Sequence, residues 1–160
     1  MSGHFNLQIM KTENQTKVSE IEISYRPAIG RKPKIQCALD AYTELLPFFS
    51  THTIALQEQI VCMYLNRANR IIGVYPLSLG GITGTVADIR LILSVALKTA
   101  ATSIILSHNH PSGNLEPSGA DKALTAKIKE ACNHFDISLM DHIILSAEGG
   151  YYSFMDEGLI

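Results

Sequence analysis

At 160 residues the chain has the length of one compact domain, and 46% hydrophobic against 18% charged residues gives it a real core and excludes an intrinsically disordered segment. A formal net charge of −2 and a pI near 6.3 show no sign of the basic surface that nucleic-acid or anionic-membrane binding usually needs. Cys37, Cys62 and Cys132 lie far apart with no CxxC pair, which argues against a disulfide framework and against a cysteine-built zinc site. The expected location is the reducing cytoplasm, with no membrane association. The N-terminus lacks the apolar run of a signal peptide, and no stretch approaches the roughly 20 apolar residues of a membrane helix.

Residues 1–17 are polar and read as a flexible N-terminal segment, leaving 18–160 as the folded domain. Ile21, Ile23 and Tyr25 alternate with Glu22 and Ser24, the period of a half-buried strand. Residues 26–34 form a loop by their Pro and Gly content, and the Arg31-Lys32-Pro33-Lys34 run within it reads as solvated. Residues 37–49 predict a helix with Leu39, Tyr42, Leu45 and Leu46 on its apolar face. Residues 59–66 and 70–79 predict two strands joined by a polar turn, a hairpin. Gly80-Gly81-Ile82-Thr83-Gly84 breaks the pattern; lacking the lysine of a phosphate loop, it reads as a turn near the site.

Residues 86–99 predict a second helix, with Ile89, Ile92, Leu93, Ala96 and Leu97 sharing a face. Residues 103–107 predict a short buried strand and 108–117 a loop. Ser118 opens a helix that runs to about residue 134, with Leu124, Ile128, Ala131 and Phe135 inward. Residues 137–146 predict a strand, Glu148-Gly149-Gly150 a turn, and 151–154 a final strand. Strands and helices alternate, so the fold class is α/β: a single domain with one central mixed β-sheet flanked by helices.

The chemistry concentrates in 107–121, SHNHPSGNLEPSGAD. His108 and His110 stand two apart in an extended exit from a buried strand, where side chains at i and i+2 point the same way. Two imidazoles therefore converge on one point, as metal binding requires. Asp121 begins a helix three and seven residues before Leu124 and Ile128, which aims its carboxylate with the inward face. A buried charge needs a partner, and a metal supplies one. Two histidines and one aspartate leave a tetrahedral zinc (Zn2+) an open position, the pattern of a catalytic rather than a structural site. The same residues also read as a helix N-terminus, Ser118 capping and Asp121 placed for the dipole.

His-x-His, seven residues, Ser, two residues, Asp is the JAMM motif, and 108–121 match it without departure. The chain thereby resembles the JAB/MPN metalloprotease superfamily, and within it the RadC-like JAB domain. HNHPSG followed by PS and Asp121, the Asp141-His142 pair and the ending GGYYSFMDEGLI look like that branch. The resemblance spans about residues 21–160 and implies a cytidine-deaminase-like sheet. It also implies that a glutamate at the start of an earlier strand completes the site. The matching residue is Glu58, as the base for the water that a zinc ion would acidify to a pKa of about 7. Read by position alone, Glu58 is an exposed acid at a strand edge. Glu116 competes for the role but sits in the loop with nothing to fix its direction. The resemblance gives the Ser118 hydroxyl a role in binding the oxyanion of a tetrahedral intermediate; position alone makes it a cap.

His142 reads as a histidine behind the ligands or in the core rather than as a ligand, and His134 and His52 as surface residues. Asn109 between two histidines is no evidence for an HNH nuclease, whose name describes residues far apart in sequence. A zinc deaminase would need HxE with PCxxC, and both are absent. Fe(II) oxygenases typically show HxD with a distant histidine, the reverse order. The expectation is a zinc metallopeptidase acting on a peptide or isopeptide bond of a protein or peptide substrate. The rival is a non-catalytic accessory module of DNA repair or mobile-element maintenance, acting through partners. RadC proteins carry a helix-hairpin-helix region ahead of this domain, and its expected absence here, with the near-neutral charge, weighs against the rival.

Overall fold

Two strands made almost wholly of buried residues form the spine of the structure, a computed structural model that describes residues 26–27, 29–30, 32–80 and 87–160. They are β1, Gln59–Leu65, buried throughout, and an adjacent antiparallel strand, Ser103–His110, buried except at His110. Burial on both faces explains their continuous apolar runs, since neither face needs polar residues. β2, Ile71–Leu79, pairs with β1 as the other arm of the hairpin. Its turn is held by the Asn66 side chain, which accepts from the N–H groups of Ala68 and Arg70 at 2.9 and 3.1 Å. Numbering Ser103–His110 as β3, the sheet continues with β4, Ser138–Ser146, parallel to β3, and β5, Tyr151–Ser153, antiparallel to β4. The order is β2-β1-β3-β4-β5, a five-stranded mixed sheet.

Helix α1, Ala38–Leu45, packs on one face with Val61, Met63, Leu65, Ile105, Ile143 and Leu145. Helices α2, Ile89–Thr99, and α3, Gly119–Asn133, cover the other, over Ile60, Cys62, Tyr64, Ile104, Leu106 and Leu139. Strand parity therefore sorts the chemistry. Even-numbered positions of β1 and β3 face α3, so His108 and His110 lie on its side and Asn109 on the side of α1. In β4 the register shifts by one, Ile104 pairing Leu139 and Ile105 pairing Asp141. This bulge reverses the alternation and turns His142, opposite Leu106, toward α3.

The helices keep the expected period with a changed phase. α1 buries Ala38, Ala41 and Leu45, while Leu39 is exposed, because the alanines allow close approach to the sheet. Past Leu45 the helix tightens into a 3-10 turn, Leu46–Phe48, which leaves Leu46 exposed and buries Phe49. In α2, Ile92 and Ala96 are buried and Leu97 is exposed. α2 starts at Ile89, where the Asp88 side chain accepts from Arg90 N–H. α3 buries Thr125, Ile128 and Cys132. Phe135 is exposed because the helix has ended and Asp136 turns the chain at φ +54°. β3 runs to His110, three residues beyond the expected end, because the parallel ladder with β4 continues through His110 and Ser146. The expected flexible segment 1–17, the strand 21–25, the turn at 81–84 and Val86 lie outside the described residues.

Burial pushes the Cys62 thiol up to about 12 and the Cys132 thiol up to about 11, so both behave as apolar core groups. Among the described residues no helix is long and apolar enough to cross a membrane.

Asp141 ties the C-terminal turn to the sheet. Its carboxylate accepts from the N–H of His142 at 2.7 Å, the N–H of Met155 at 3.0 Å and the Ser153 hydroxyl at 2.7 Å. Burial raises its carboxyl above the ordinary range, against the pull of those bonds. A group with a raised folded pKa holds its proton more tightly in the fold. Its stabilisation is present at low pH and lost as pH rises through the folded value. Asp141→Asn removes that titration. The melting temperature of the parent chain relative to the variant is expected to rise as pH falls from about 7 to the ordinary aspartate value of about 4. A difference that stays flat across that window would mean the carboxyl is solvated.

Candidate metal centre

His108 and His110 project from the end of β3 toward the first turn of α3, and their Nε2 atoms stand 2.9 Å apart. Asp121, in that first turn, brings Oδ1 to 3.2 Å from His108 Nε2 and Oδ2 to 3.6 Å from His110 Nε2. Glu58, one residue before β1, brings Oε1 to 3.9 Å from His108 Nε2. One ligand atom from each of the four residues lies within 4.8 Å of every other. Side-chain exposure rises from 3% at His108 through 13% and 15% at Asp121 and His110 to 20% at Glu58, so Glu58 is the most exposed of the four. Glu116 is exposed in the loop and outside the cluster, and His134 and His52 lie on the surface.

Each position has a local cause. Gly113, at φ +81°, folds the loop after β3 back on itself, and its missing Cβ would stand 3.3 Å from the Glu148 carboxylate carbon. The fold-back presents the Asn114 carbonyl to His110 Nδ1 at 2.6 Å. Ser118 caps α3 in a capping box: its oxygen accepts from Asp121 N–H at 3.1 Å, and Asp121 Oδ2 accepts from Ser118 N–H at 2.7 Å. The Ser118 hydroxyl also donates to Oδ2, at 2.6 Å. The box holds Oδ2, on the His110 side, and leaves Oδ1 facing His108.

Burial alone would raise the Asp121 carboxyl. The attraction of His108 and His110 in their protonated forms, with the bond from the Ser118 hydroxyl, outweighs it and holds the group well below the usual carboxylate range. Asp121 favours the protonated form of His110 and pushes its imidazole upward against burial, so a proton and a cation compete for Nε2. Burial holds His142 well below the ordinary histidine range, so it is a neutral ring.

The donor set fits a divalent cation, and the hydrogen bonds show why. A carbonyl only accepts, so His110 Nδ1 carries a proton toward Asn114 and Nε2 is left with a lone pair. The Thr125 hydroxyl gives its one proton to the Asp121 carbonyl at 2.6 Å. It must then accept from His142 Nδ1, at 2.7 Å. His142 Nε2 therefore accepts from His108 Nδ1, at 2.7 Å, and His108 Nε2 also presents a lone pair. Two lone pairs 2.9 Å apart beside a carboxylate call for positive charge between them. The separation of 2.9 Å between the two Nε2 atoms and that of 3.2 Å from His108 Nε2 to Asp121 Oδ1 lie close to the edge of about 3.3 Å in a tetrahedron built with zinc–ligand distances. Glu58 stands outside that edge.

Sequence reasoning set Asn109 aside and passed over Thr125. Asn109 is fully buried on the α1 side. Its Oδ1 accepts from Gln59 N–H at 2.7 Å, and its Nδ2 donates to the carbonyls of Ile54 and Gln57 at 2.6 and 2.9 Å. These bonds straddle Glu58, so the residue between the two histidines fixes the backbone that carries the glutamate. Its signal in the sequence was parity: an amide on the opposite face of a buried strand must find partners there. Asn109→Ala leaves those groups without a partner and is expected to cost about 2–4 kcal/mol, read from denaturant unfolding. A loss below about 0.5 kcal/mol would show that the 54–58 segment holds itself in place.

A central strand ending in His-x-His, answered by a carboxylate that opens the next helix, marks the JAB/MPN class of α/β domains. Within that class the family model for the RadC-like JAB domain matches residues 35–159, and the chain belongs to that family. A UPF0758 protein of Flavobacterium johnsoniae is 44% identical over 126 residues, covering 79% of this chain and 53% of its own. A UPF0758 protein of Porphyromonas gingivalis is 38% identical over 148 residues, covering 91% of this chain and 64% of its own. One from Streptococcus gordonii is 46% identical over 101 residues, covering 63% and 44%. The chain thus spans roughly half the length of the curated relatives it matches.

Proposed function

We propose that the chain is a zinc-dependent hydrolase of amide bonds, peptide or isopeptide, in which His108, His110 and Asp121 hold the ion and Glu58 is the general base. The reading rests on one observation. Two bare imidazole nitrogens and a carboxylate oxygen converge at near-tetrahedral spacing, with a second carboxylate standing just outside. Zinc, when bound, would supply a Lewis acid that acidifies water and polarises an amide carbonyl.

The chain's own residues do the rest. Asp121 and the two histidines fix the place of reaction at the end of β3. Glu58, the most exposed of the four, takes a proton from the attacking water as the water oxygen bonds to the carbonyl carbon. It then returns that proton to the leaving nitrogen as the C–N bond breaks, so the base is restored each turnover. The Ser118 hydroxyl, now bonded to Asp121, becomes an oxyanion donor by turning its proton about the Cβ–Oγ bond while Oγ keeps accepting from Asp121 N–H.

The test is elemental analysis of the purified chain followed by assay against peptide and isopeptide-linked substrates. About one zinc per chain and cleavage abolished by a chelator are expected. A chain with no metal, or one whose cleavage survives stripping, would overturn the reading. A cellular function that survives loss of metal would favour an accessory role in DNA metabolism.

A further inference from the structure

Behind the metal centre lies a chain of hydrogen bonds that begins and ends on Asp121. Its backbone carbonyl accepts from Thr125, Thr125 accepts from His142 Nδ1, and His142 Nε2 accepts from His108 Nδ1. His108 Nε2 then faces Asp121 Oδ1 at 3.2 Å, closing the circuit across the site. Every joint inside the protein is between 2.6 and 2.7 Å. The direction is not free, because a carbonyl cannot donate and a hydroxyl has one proton to give. The polarity of the whole chain is therefore set by the first turn of α3.

We propose that Thr125 and His142 are positioning residues that lock His108 in the tautomer with its lone pair toward the cation. The proposal rests on the zinc-site reading above but concerns residues that reading does not use. Three further observations support it. Thr125 and His142 are buried, and the His142 ring is stacked on Phe154 with centroids 4.7 Å apart and planes at 21°, which limits its rotation. The bulge in β4 is what turns His142 toward α3, so the backbone departs from regular alternation at the point where the ring is needed. Without an acceptor at Thr125, either nitrogen of His142 could carry its proton. In the opposite tautomer His142 Nε2 would donate to His108 Nδ1 and drive the His108 proton onto Nε2, where a ligand needs a lone pair.

Thr125→Val removes the hydroxyl at nearly constant shape, and Thr125→Ser keeps it. The first readout is zinc affinity by competition with a chromophoric chelator. Thr125→Val is expected to weaken zinc by about 10- to 100-fold, the usual effect of removing a partner behind a histidine ligand, and Thr125→Ser by less than about threefold. The second is long-range 1H–15N NMR of the histidine rings in the metal-free chain at about pH 8, above the ordinary histidine range. His108 is expected with its proton on Nδ1, and Thr125→Val is expected to mix the two tautomers. Unchanged affinity in Thr125→Val, or His108 protonated on Nε2 in the parent chain, overturns the proposal. If the parent chain binds no zinc, the hydrolase reading fails alone, and the NMR measurement still decides the tautomer. The parent-chain spectrum needs no variant, so a variant that fails to fold leaves that decision intact.

Discussion

Glu58→Gln is expected to leave zinc in place and to reduce amide cleavage by about 10²- to 10⁴-fold, the usual contribution of a positioned general base. The substitution preserves size and removes only the ability to accept a proton from water. The backbone around it is held by other groups: the Glu58 carbonyl accepts from Gly80 N–H at 2.7 Å, and Asn109 secures Gln57 and Gln59 on either side. Metal content and rate must therefore separate. Retained zinc with retained cleavage would move the base elsewhere. Lost zinc would mean that Glu58 closes the distance of 3.9 Å to His108 Nε2 and becomes a fourth ligand, which would make the site structural.

Asp121→Ala is expected to weaken zinc by at least about 10²-fold. Zinc binding of about 10–16 kcal/mol in four-ligand structural sites implies a few kcal/mol for each ligand. The same change deletes the N3 partner of the capping box and should lower the stability of the metal-free chain by about 1 kcal/mol. Asp121→Asn separates the two effects. Its amide oxygen can still accept from Ser118, and its NH2 can donate to the bare nitrogens of His108 and His110. The metal-free Asn variant should melt at or above the parent temperature while zinc binding is lost. Parent-like zinc affinity in Asp121→Ala would remove Asp121 from the ligand set.

Much of the α/β order was legible because strand runs and helix periods are local signals. The spacing of His108 and His110 was legible for the same reason: alternation along a strand fixes their common direction whatever the rest of the chain does. Asp121 was legible through its phase with Ile128. Less legible was whatever depends on what an element packs against. The exposed side chains of Leu39, Leu97 and Phe135 follow from how closely each helix sits on the sheet and where it stops. Thr125 was hidden because a polar residue on an inward helix face carries no apolar signal. Asn109 was hidden because its partners at residues 54–59 are some fifty positions away in sequence. The bulge in β4 exists only in the pairing with β3, so no pattern within residues 138–146 could announce that His142 turns toward the site.

The capping box divides the Asp121 carboxylate between two duties, one oxygen for the start of α3 and one for the cation. The helix therefore does not wait for an ion in order to begin. An ion would enter a turn that is already formed, unlike a zinc finger, which is unfolded without its metal. On the proposed reading, such a centre would exchange its ion on the timescale of ion supply rather than of protein synthesis.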